Sequence, residues 1–176
     1  TNVTEAGATD TYTIVLNSLP TGNVFVNIAS DSQLSFSTSS IIFSTSNWNV
    51  AQTITVTAVD DNYAESAHSA TITHSATSTD SDYNALGIAS VTANITDNDT
   101  AGVTITQSAG TTDITEAGGT DSYTVVLTSA PTGTLSLALS PDAQCTLSTS
   151  SLSFTSGNWN SAVTVTVTAV NDSLDE

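Results

Sequence analysis

The sequence contains no lysine and no arginine. Its 176 residues include 17 aspartates and glutamates and two histidines, so the formal net charge is −17. A surface of one charge sign repels partners of the same sign. Contacts with nucleic acid or with anionic lipid also need Lys or Arg on the protein. The composition therefore argues against nucleic acid and anionic membrane surfaces as partners, and against membrane insertion.

Cysteine and long apolar runs are also scarce. Cys145 is the only cysteine, which excludes an internal disulfide and any cysteine-based metal motif. No apolar run approaches the roughly 18 residues of a membrane span, and no secretory signal is recognisable. Because Thr1 is not an initiator methionine, we expect the chain to be a processed or excised piece.

What the chain does contain is an internal repeat. "TEAGATDTYTIVL" (4–16) returns as "TEAGGTDSYTVVL" (115–127), and "TVTAVDD" (55–61) returns as "TVTAVND" (166–172). The offset is 111 residues throughout, and residues 1–65 share 34 identities with residues 112–176. Self-similarity at a fixed period is the sequence signature of repeated structural units.

The substitutions between the two copies alternate in character. Val24, Val26 and Ile28 become leucines, whereas Phe25 and Asn27 between them change to Ser136 and Ala138. A period of two is typical of strands with one face in a core and one in solvent. Together with turn residues it predicts strands B to G of the first copy at 10–17, 23–30, 34–43 (broken), 50–59, 67–76 and 88–96, and strand A of the second at 101–107.

Seven short strands per copy and no helical period predict an all-β fold. We expect tandem immunoglobulin-like, seven-stranded antiparallel β-sandwiches. The predicted domains are residues 1–99, in which the first strand is missing, and residues 100–176, in which the last two strands are missing. We interpret the chain as a window on a longer, extended tandem array.

The acidic residues of the first copy collect in particular loops. In a sandwich of antiparallel strands, the A–B, C–D and E–F loops and the exit of strand G share one end. Eight of the ten acids in residues 1–99 fall there, and the other two, Asp80 and Asp82, fall at the opposite end. The eight are Glu5, Asp10, Asp31, Asp60, Asp61, Glu65, Asp97 and Asp99.

A crowded acidic end needs a cation that the chain itself does not supply. Two carboxylates about 5 Å apart repel by roughly 3 kcal/mol at an effective dielectric of 20. Ca²⁺ takes six to eight oxygen ligands in flexible geometry, whereas Mg²⁺ retains its water and Zn²⁺ favours His or Cys. Calcium is therefore the predicted cofactor. The alternative is a solvated acidic face, for which the acids would be scattered.

Three stretches in order, "VTEAG", "AVDDNYAE" and "VTANITDND", resemble the Calx-beta domain. That family is known from the sodium–calcium exchanger, integrin beta-4 and very large bacterial surface adhesins. The resemblance implies a Calx-beta-type sandwich that binds Ca²⁺. Asn171 replaces the first aspartate of the E–F loop in the second copy, which implies fewer ions than in the exchanger domain. The implied ligands are Glu5, Asp60, Asp61, Glu65, Asp97 and Asp99 in the first copy, and Glu116, Asp172 and Glu176 in the second.

The sequence thus predicts a non-enzymatic, calcium-binding spacer of an extracellular or cell-surface bacterial adhesin or filament. Its expected partners are neighbouring repeats of the same chain or fibre, and Ca²⁺ is expected to stiffen the joints between domains. The alternative is an adhesion module that binds a glycan or a cell-surface protein through the same loops or an exposed sheet. No residue pattern indicates a catalytic pair in a pocket.

Overall fold

The computed structural model describes residues 1–171 as an all-β protein in two compact units. Unit 1 comprises Thr1–Asp61 and Glu65–Asn98. Unit 2 comprises Asn62–Ala64 and the residues from Asp99 onward. None of the helical segments in the described residues has the length and hydropathy that a membrane span requires.

Unit 1 is built from eight short strands that alternate between buried and exposed positions. In β3, for example, Val24, Val26 and Ile28 are buried and the residues between them are exposed, as the alternation predicts. The strands are β1 (Asn2–Thr4), β2 (Asp10–Ile14), β3 (Val24–Ala29), β4 (Leu34–Phe36), β5 (Ser40–Phe43), β6 (Gln52–Ala58), β7 (His68–Ser78) and β8 (Val91–Thr96).

These strands form two sheets around one apolar core. The first sheet has the order β1-β8-β7-β3-β5 and the second the order β2-β6-β4. The core takes side chains from both sheets, among them Phe43 and Ile72 from the first and Ile54 from the second, all fully buried. Two sheets that share a core in this way are consistent with an immunoglobulin-like β-sandwich.

The predicted strand D is broken, and the break moves the chain from one sheet to the other. β4 pairs with β6 in the second sheet, and β5 pairs with β3 in the first. Between them Thr38 makes a local turn, in which its hydroxyl donates to the carbonyl oxygen of Ser40 at 2.7 Å. One predicted strand thus supplies an edge to both sheets.

The sequence did not predict β1. It pairs in parallel with β8, with Val3 opposite Ile95, and both side chains are about 1% exposed. The segment is three residues long, too short to show the alternation that identifies a strand. Its pairing with the last strand of unit 1 carries the chain directly to Glu5.

Unit 2 repeats part of this arrangement. One sheet has the order β12-β14-β10-β9, and β11 pairs with β13 in a second sheet of two strands within the described residues. Val165 and Phe154 are fully buried, like their counterparts Ile54 and Phe43. The strands are β9 (Val103–Gln107), β10 (Thr120–Leu127), β11 (Leu135–Ala138), β12 (Cys145–Leu147), β13 (Ser151–Phe154) and β14 (Val163–Ala169).

Candidate metal centre

Glu5 lies in a tight loop that begins where β1 ends. The backbone N–H of Thr4 donates to the carbonyl oxygen of Ala8, and that of Gly7 donates to the carbonyl oxygen of Thr4. Ala6 takes a left-handed conformation, with φ at 48°, and its counterpart Ala117 has φ at 71°. The N–H of Glu5 itself donates to the carbonyl oxygen of Thr96 at 3.1 Å. The loop is thereby fastened to the end of β8.

The side chain of Glu5 is buried. Only 3% of its surface is exposed, and its Oε2 atom is shielded from solvent with no hydrogen-bond donor. A buried charged group without a partner is costly, because nothing replaces the water it has lost. This carboxylate oxygen therefore needs a proton or a cation.

Two further carboxylates lie beside Glu5. One oxygen each of Glu5, Asp97 and Asp99 lie within 4.8 Å of one another. Asp97 follows the last residue of β8, and Asp99 follows Asn98, where unit 1 ends. At this separation two negative charges repel by roughly 3.5 kcal/mol at an effective dielectric of 20.

The loop between β6 and β7 adds three more acids to the cluster. Its backbone folds around Asp97, whose Oδ2 accepts hydrogen bonds from the N–H groups of Glu65 (2.6 Å) and Ser66 (3.0 Å). At the start of the same loop, the amide of Asn98 donates to Oδ1 of Asp60 at 2.9 Å. The residues that follow β8 thus hold both ends of the acidic loop.

The electrostatic field of this loop acts on Glu5. Burial is the main cause that raises the pKa of the Glu5 carboxyl above its ordinary value. The negative charges of four neighbours raise this pKa further, and in order of effect they are Asp97, Asp61, Glu65 and Asp60. Five acids that the sequence assigned to one end therefore interact in the folded protein, as does Asp99 by its proximity.

Two polar side chains border Glu65. The amide of Gln33 donates to Oε2 of Glu65 and lies 3.3 Å from Nε2 of His68. The same His68 nitrogen lies 3.7 Å from Oε2 of Glu65. His68 is charged only when it is protonated, so it gives Glu65 a conditional partner rather than a permanent counterion.

Other acids of unit 1 have structural partners instead. Asp10 accepts the N–H groups of Asn2 and Thr11, and Asp31 accepts that of Gln33 at 3.1 Å. The two Asn2 and Thr11 hydrogen bonds lower the pKa of Asp10. Neither carboxylate belongs to the group formed by Glu5, Asp97 and Asp99, and the hydrogen bonds from backbone N–H groups give both a role in local loop structure.

Asp80, which the sequence places at the opposite end of the sandwich, also stabilises local structure. It accepts the N–H groups of Thr21 at 2.7 Å and Asp82 at 3.0 Å, and both bonds lower its pKa. Neighbouring Asp82 is exposed. Removing the charge of Asp82 should therefore disturb the fold less than removing the charge of Asp80.

Of the three candidate ligands in unit 2, Glu116 lies among the described residues. Glu116 is exposed, in contrast to its counterpart Glu5. Glu5 follows β1, which pairs with β8. Asp121, the counterpart of Asp10, makes the same kind of contact, because it accepts the N–H groups of Asp113 and Ser122. Asp172 and Glu176 lie outside the described residues.

The donor set formed by Glu5, Asp97 and Asp99 fits a hard cation. Carboxylate oxygens are the ligands that calcium prefers, and Oε2 of Glu5 is already dehydrated. Neither histidine nor cysteine contributes to the group formed by Glu5, Asp97 and Asp99, which disfavours zinc. A cation bound there would offset both the energetic cost of burying the Glu5 charge and the repulsion between Glu5 and its acidic neighbours.

Sequence reasoning missed the polar residues that support the acids. Gln33 and Asn98 contact Glu65 and Asp60, and neither was assigned a role. Asn98 stands between Asp97 and Asp99, so the "DND" pattern contained a signal for it. Gln33 lies far from the acidic loop in sequence and only the pairing of β4 with β6 brings it near.

No protein-family model matches the sequence, and no curated protein matches it. Among solved structures, the chain is similar to one from the CsuC–CsuE chaperone–tip adhesion subunit pre-assembly complex of the archaic chaperone-usher Csu pili of Acinetobacter baumannii. The identity is 9%, the TM-score is 0.41, and the match covers 99% of this chain and 86% of that one. At this level of similarity the match supports no functional argument.

Proposed function

We propose that the chain is a calcium-binding structural module, in which Ca²⁺ bound by the first copy fastens the loops at one end of the sandwich. The observation that carries the proposal is the buried Oε2 of Glu5, which has no hydrogen-bond donor and lies among acidic side chains. A chain without lysine or arginine has no permanent side-chain cation to place there. A divalent cation from solution compensates these charges.

The proposed ligands of the first copy, residues 1–99, are ordered by how directly they face the ion. Glu5, Asp97 and Asp99 form the inner group. Asp60, Asp61 and Glu65 stand around it on the loop between β6 and β7 and supply charge or further oxygens. In unit 2, Glu116, Asp172 and Glu176 are the corresponding candidates.

The proposed role is mechanical. Asp97 and Asp99 belong to the connection between β8 and β9, so an ion that binds them also restrains that connection. In a tandem array, which we propose as the natural context, restrained connections give an extended spacer. Such a spacer suits an extracellular or cell-surface adhesin or filament, and it has no enzymatic activity.

Thermal unfolding in calcium and in chelator tests the binding role. A ligand that binds only the folded state at about 100 times its Kd adds about 2.7 kcal/mol, or roughly 10–20 °C for a domain of about 100 residues. In Glu5→Gln the buried charge is removed without a change of shape. We expect this variant to unfold at a higher temperature than the parent chain in chelator, and at a lower one in calcium.

Asp82→Asn is the matched control, because it also removes one negative charge but from an exposed position. Its response to calcium should equal that of the parent chain. If the two variants responded equally to calcium, the assignment of the ion to the Glu5 cluster would be wrong.

A further inference from the structure

Phe25 is an exposed aromatic residue on the outward face of the first sheet of unit 1. It lies on β3, between β5 and β7, and its cross-strand neighbours are Ile42 and Thr77. Phe25 is 40% exposed and Ile42 is 48% exposed. In the second copy, Ser136 and Ser153 occupy the positions of Phe25 and Ile42 and pair in the same register. The second copy therefore shows that the fold does not need an apolar pair at this place.

A surface cavity of about 500 Å³ adjoins Phe25. This volume lies within the range of about 300–1,000 Å³ that small-molecule sites occupy. The cavity is lined by Asn23, Phe25, Thr77, Ser78, Thr79 and Asn84. Apart from the aromatic ring, these side chains are uncharged amides and hydroxyls. A chain with a net charge of −17 thus has a neutral, polar cavity with one aromatic wall.

Hydrogen bonds between the β2–β3 turn and the β7–β8 loop hold the walls of this cavity. The hydroxyl of Ser78 donates to the carbonyl oxygen of Asn23 at 2.8 Å and accepts the N–H of Asp80 at 2.9 Å. Asp80 in turn accepts the N–H of Thr21 at 2.7 Å. The side-chain oxygen of Asn84 accepts the N–H of Ser78. A site whose walls are fixed before binding loses less conformational entropy when a ligand arrives.

The polar groups of the cavity can both donate and accept hydrogen bonds. Because the amide oxygen of Asn84 is engaged by Ser78, the two N–H donors of that amide are directed elsewhere. The side chains of Asn23, Thr77 and Thr79 are exposed, and they supply a second amide and two hydroxyls. Donors and acceptors therefore surround the exposed aromatic ring.

A sugar ring matches this combination of groups. Its weakly positive C–H groups pack against the electron-rich face of an aromatic ring. Each of its hydroxyls donates and accepts, as the amides and hydroxyls of the cavity do. The net charge of −17 repels anionic sugars and nucleotides. The chemistry of the cavity therefore favours a neutral carbohydrate.

We propose that the Phe25 cavity binds a neutral carbohydrate. One sugar ring stacks on Phe25, and its hydroxyls form hydrogen bonds with Asn23, Thr77 and Asn84. Further along the same face, Asn27 is paired with Ser40 on one side and Ser75 on the other, so a longer chain would meet more uncharged polar side chains. The cavity uses none of the proposed calcium ligands. The proposal therefore goes beyond the calcium role and does not depend on it.

An NMR titration of the intact, isotope-labelled chain tests this proposal. The ligands are three neutral oligosaccharides: cellohexaose, maltohexaose and chitohexaose. We expect saturable shifts with at least one of them, centred on the backbone amides of Asn23, Phe25, Thr77 and Asn84. Shifts confined to other residues, or no saturable binding at millimolar sugar, would overturn the proposal. Shifts of these amides that depend on protein concentration without sugar would assign the cavity to a second copy of the chain and would also overturn it.

Two substitutions taken from the second copy test the role of the ring. Phe25→Ser introduces the residue that the second copy has at this position, so we expect the variant to fold. It should bind the sugar about tenfold more weakly, because the stacked ring is lost.

Val50→Ser is the matched control. Val50 is 57% exposed, and the second copy likewise has a serine at its position. This variant should bind the sugar like the parent chain. Equal binding by Phe25→Ser and the parent chain would overturn the proposal, as would an equal loss in both variants.

Discussion

At the residue scale, Glu5 and Asp80 are both buried carboxylates whose surroundings differ. Asp80 accepts backbone N–H groups from Thr21 and Asp82, and its pKa is lowered. Glu5 has one oxygen without a donor, and its pKa is raised. In the sequence, both positions are simply acidic residues in predicted loops. The hydrogen-bond partners of these two carboxylates distinguish a structural role for Asp80 from a buried charge at Glu5 that needs a cation.

This difference predicts an unusual dependence of stability on pH in the absence of metal. A raised pKa means that folded Glu5 holds its proton more tightly than the unfolded chain does. The stability of the metal-free chain should therefore fall as the pH rises from the ordinary value of 4.5 through the raised pKa. The lowered pKa values of Asp10, Asp80 and Asp121 act in the opposite direction, below their ordinary value of 3.8.

Denaturant unfolding in chelator at a series of pH values checks this prediction. Glu5→Gln should flatten the fall above pH 4.5, because it removes the titrating group. Saturating calcium should remove the fall in the parent chain, because the ion favours the charged form. A parent chain whose metal-free stability rises steadily from pH 4.5 to neutrality would contradict the raised pKa of buried Glu5.

At the scale of elements, alternation and turn residues were sufficient to predict most strands. β3 and β6 bury every second residue, and the break in strand D appears as the separate strands β4 and β5. β1 was missed because a three-residue strand carries no periodicity. Its partner β8 is about 90 residues away, so only the fold reveals the pairing.

The candidate site was predictable in part, because the predicted strands also predict which loops lie together. The strand order indicates which loops share an end, and that was enough to group Glu5 with the acids near Asp60 and Asp97. The order does not indicate which carboxylates find backbone donors. Asp10 and Asp31 were grouped with the others, and the fold gives each a local N–H partner.

The two repeats also predict unequal protection from hydrogen exchange. β3 pairs with β5 on one side and with β7 on the other. β11, its counterpart, pairs with β13 alone among the described residues, and Leu135 and Leu137 are only half-buried. The amides of β11 should therefore exchange faster than those of β3.

The other sheet supplies the control. β6 and β14 each have a strand on both sides, so their amides should be protected to a similar degree. Hydrogen exchange of the intact chain, resolved by residue, measures all four strands together. If β11 were protected as well as β3, the one-sided pairing of β11 with β13 would not set its exchange rate.

At the scale of the whole molecule, the charge of −17 and the repeat are the governing features. The proposed spacer depends on the connection between β8 and β9, which carries Asp97 and Asp99. Without cations, repulsion among the carboxylates should loosen this connection. With Ca²⁺ we expect an extended rod, in which each sandwich contributes roughly 40 Å at about 3.4 Å per strand residue plus loops.

Small-angle scattering of the chain, with calcium and with chelator, examines the mechanical role. The maximum dimension should be well defined in calcium and more broadly distributed in chelator. High salt without calcium is the control, since it screens the repulsion without bridging the ligands. Scattering curves that coincide in calcium and in chelator would remove the stiffening role, even if the ion binds.

Isothermal titration of calcium into chelator-treated, metal-free chain tests the central claim most directly. The result we predict is saturable binding of at least one ion per chain, lost in Glu5→Gln and unchanged in Asp82→Asn. Absence of saturable binding at millimolar calcium to a folded chain would contradict a calcium site at Glu5. Identical isotherms for the two variants would contradict it equally.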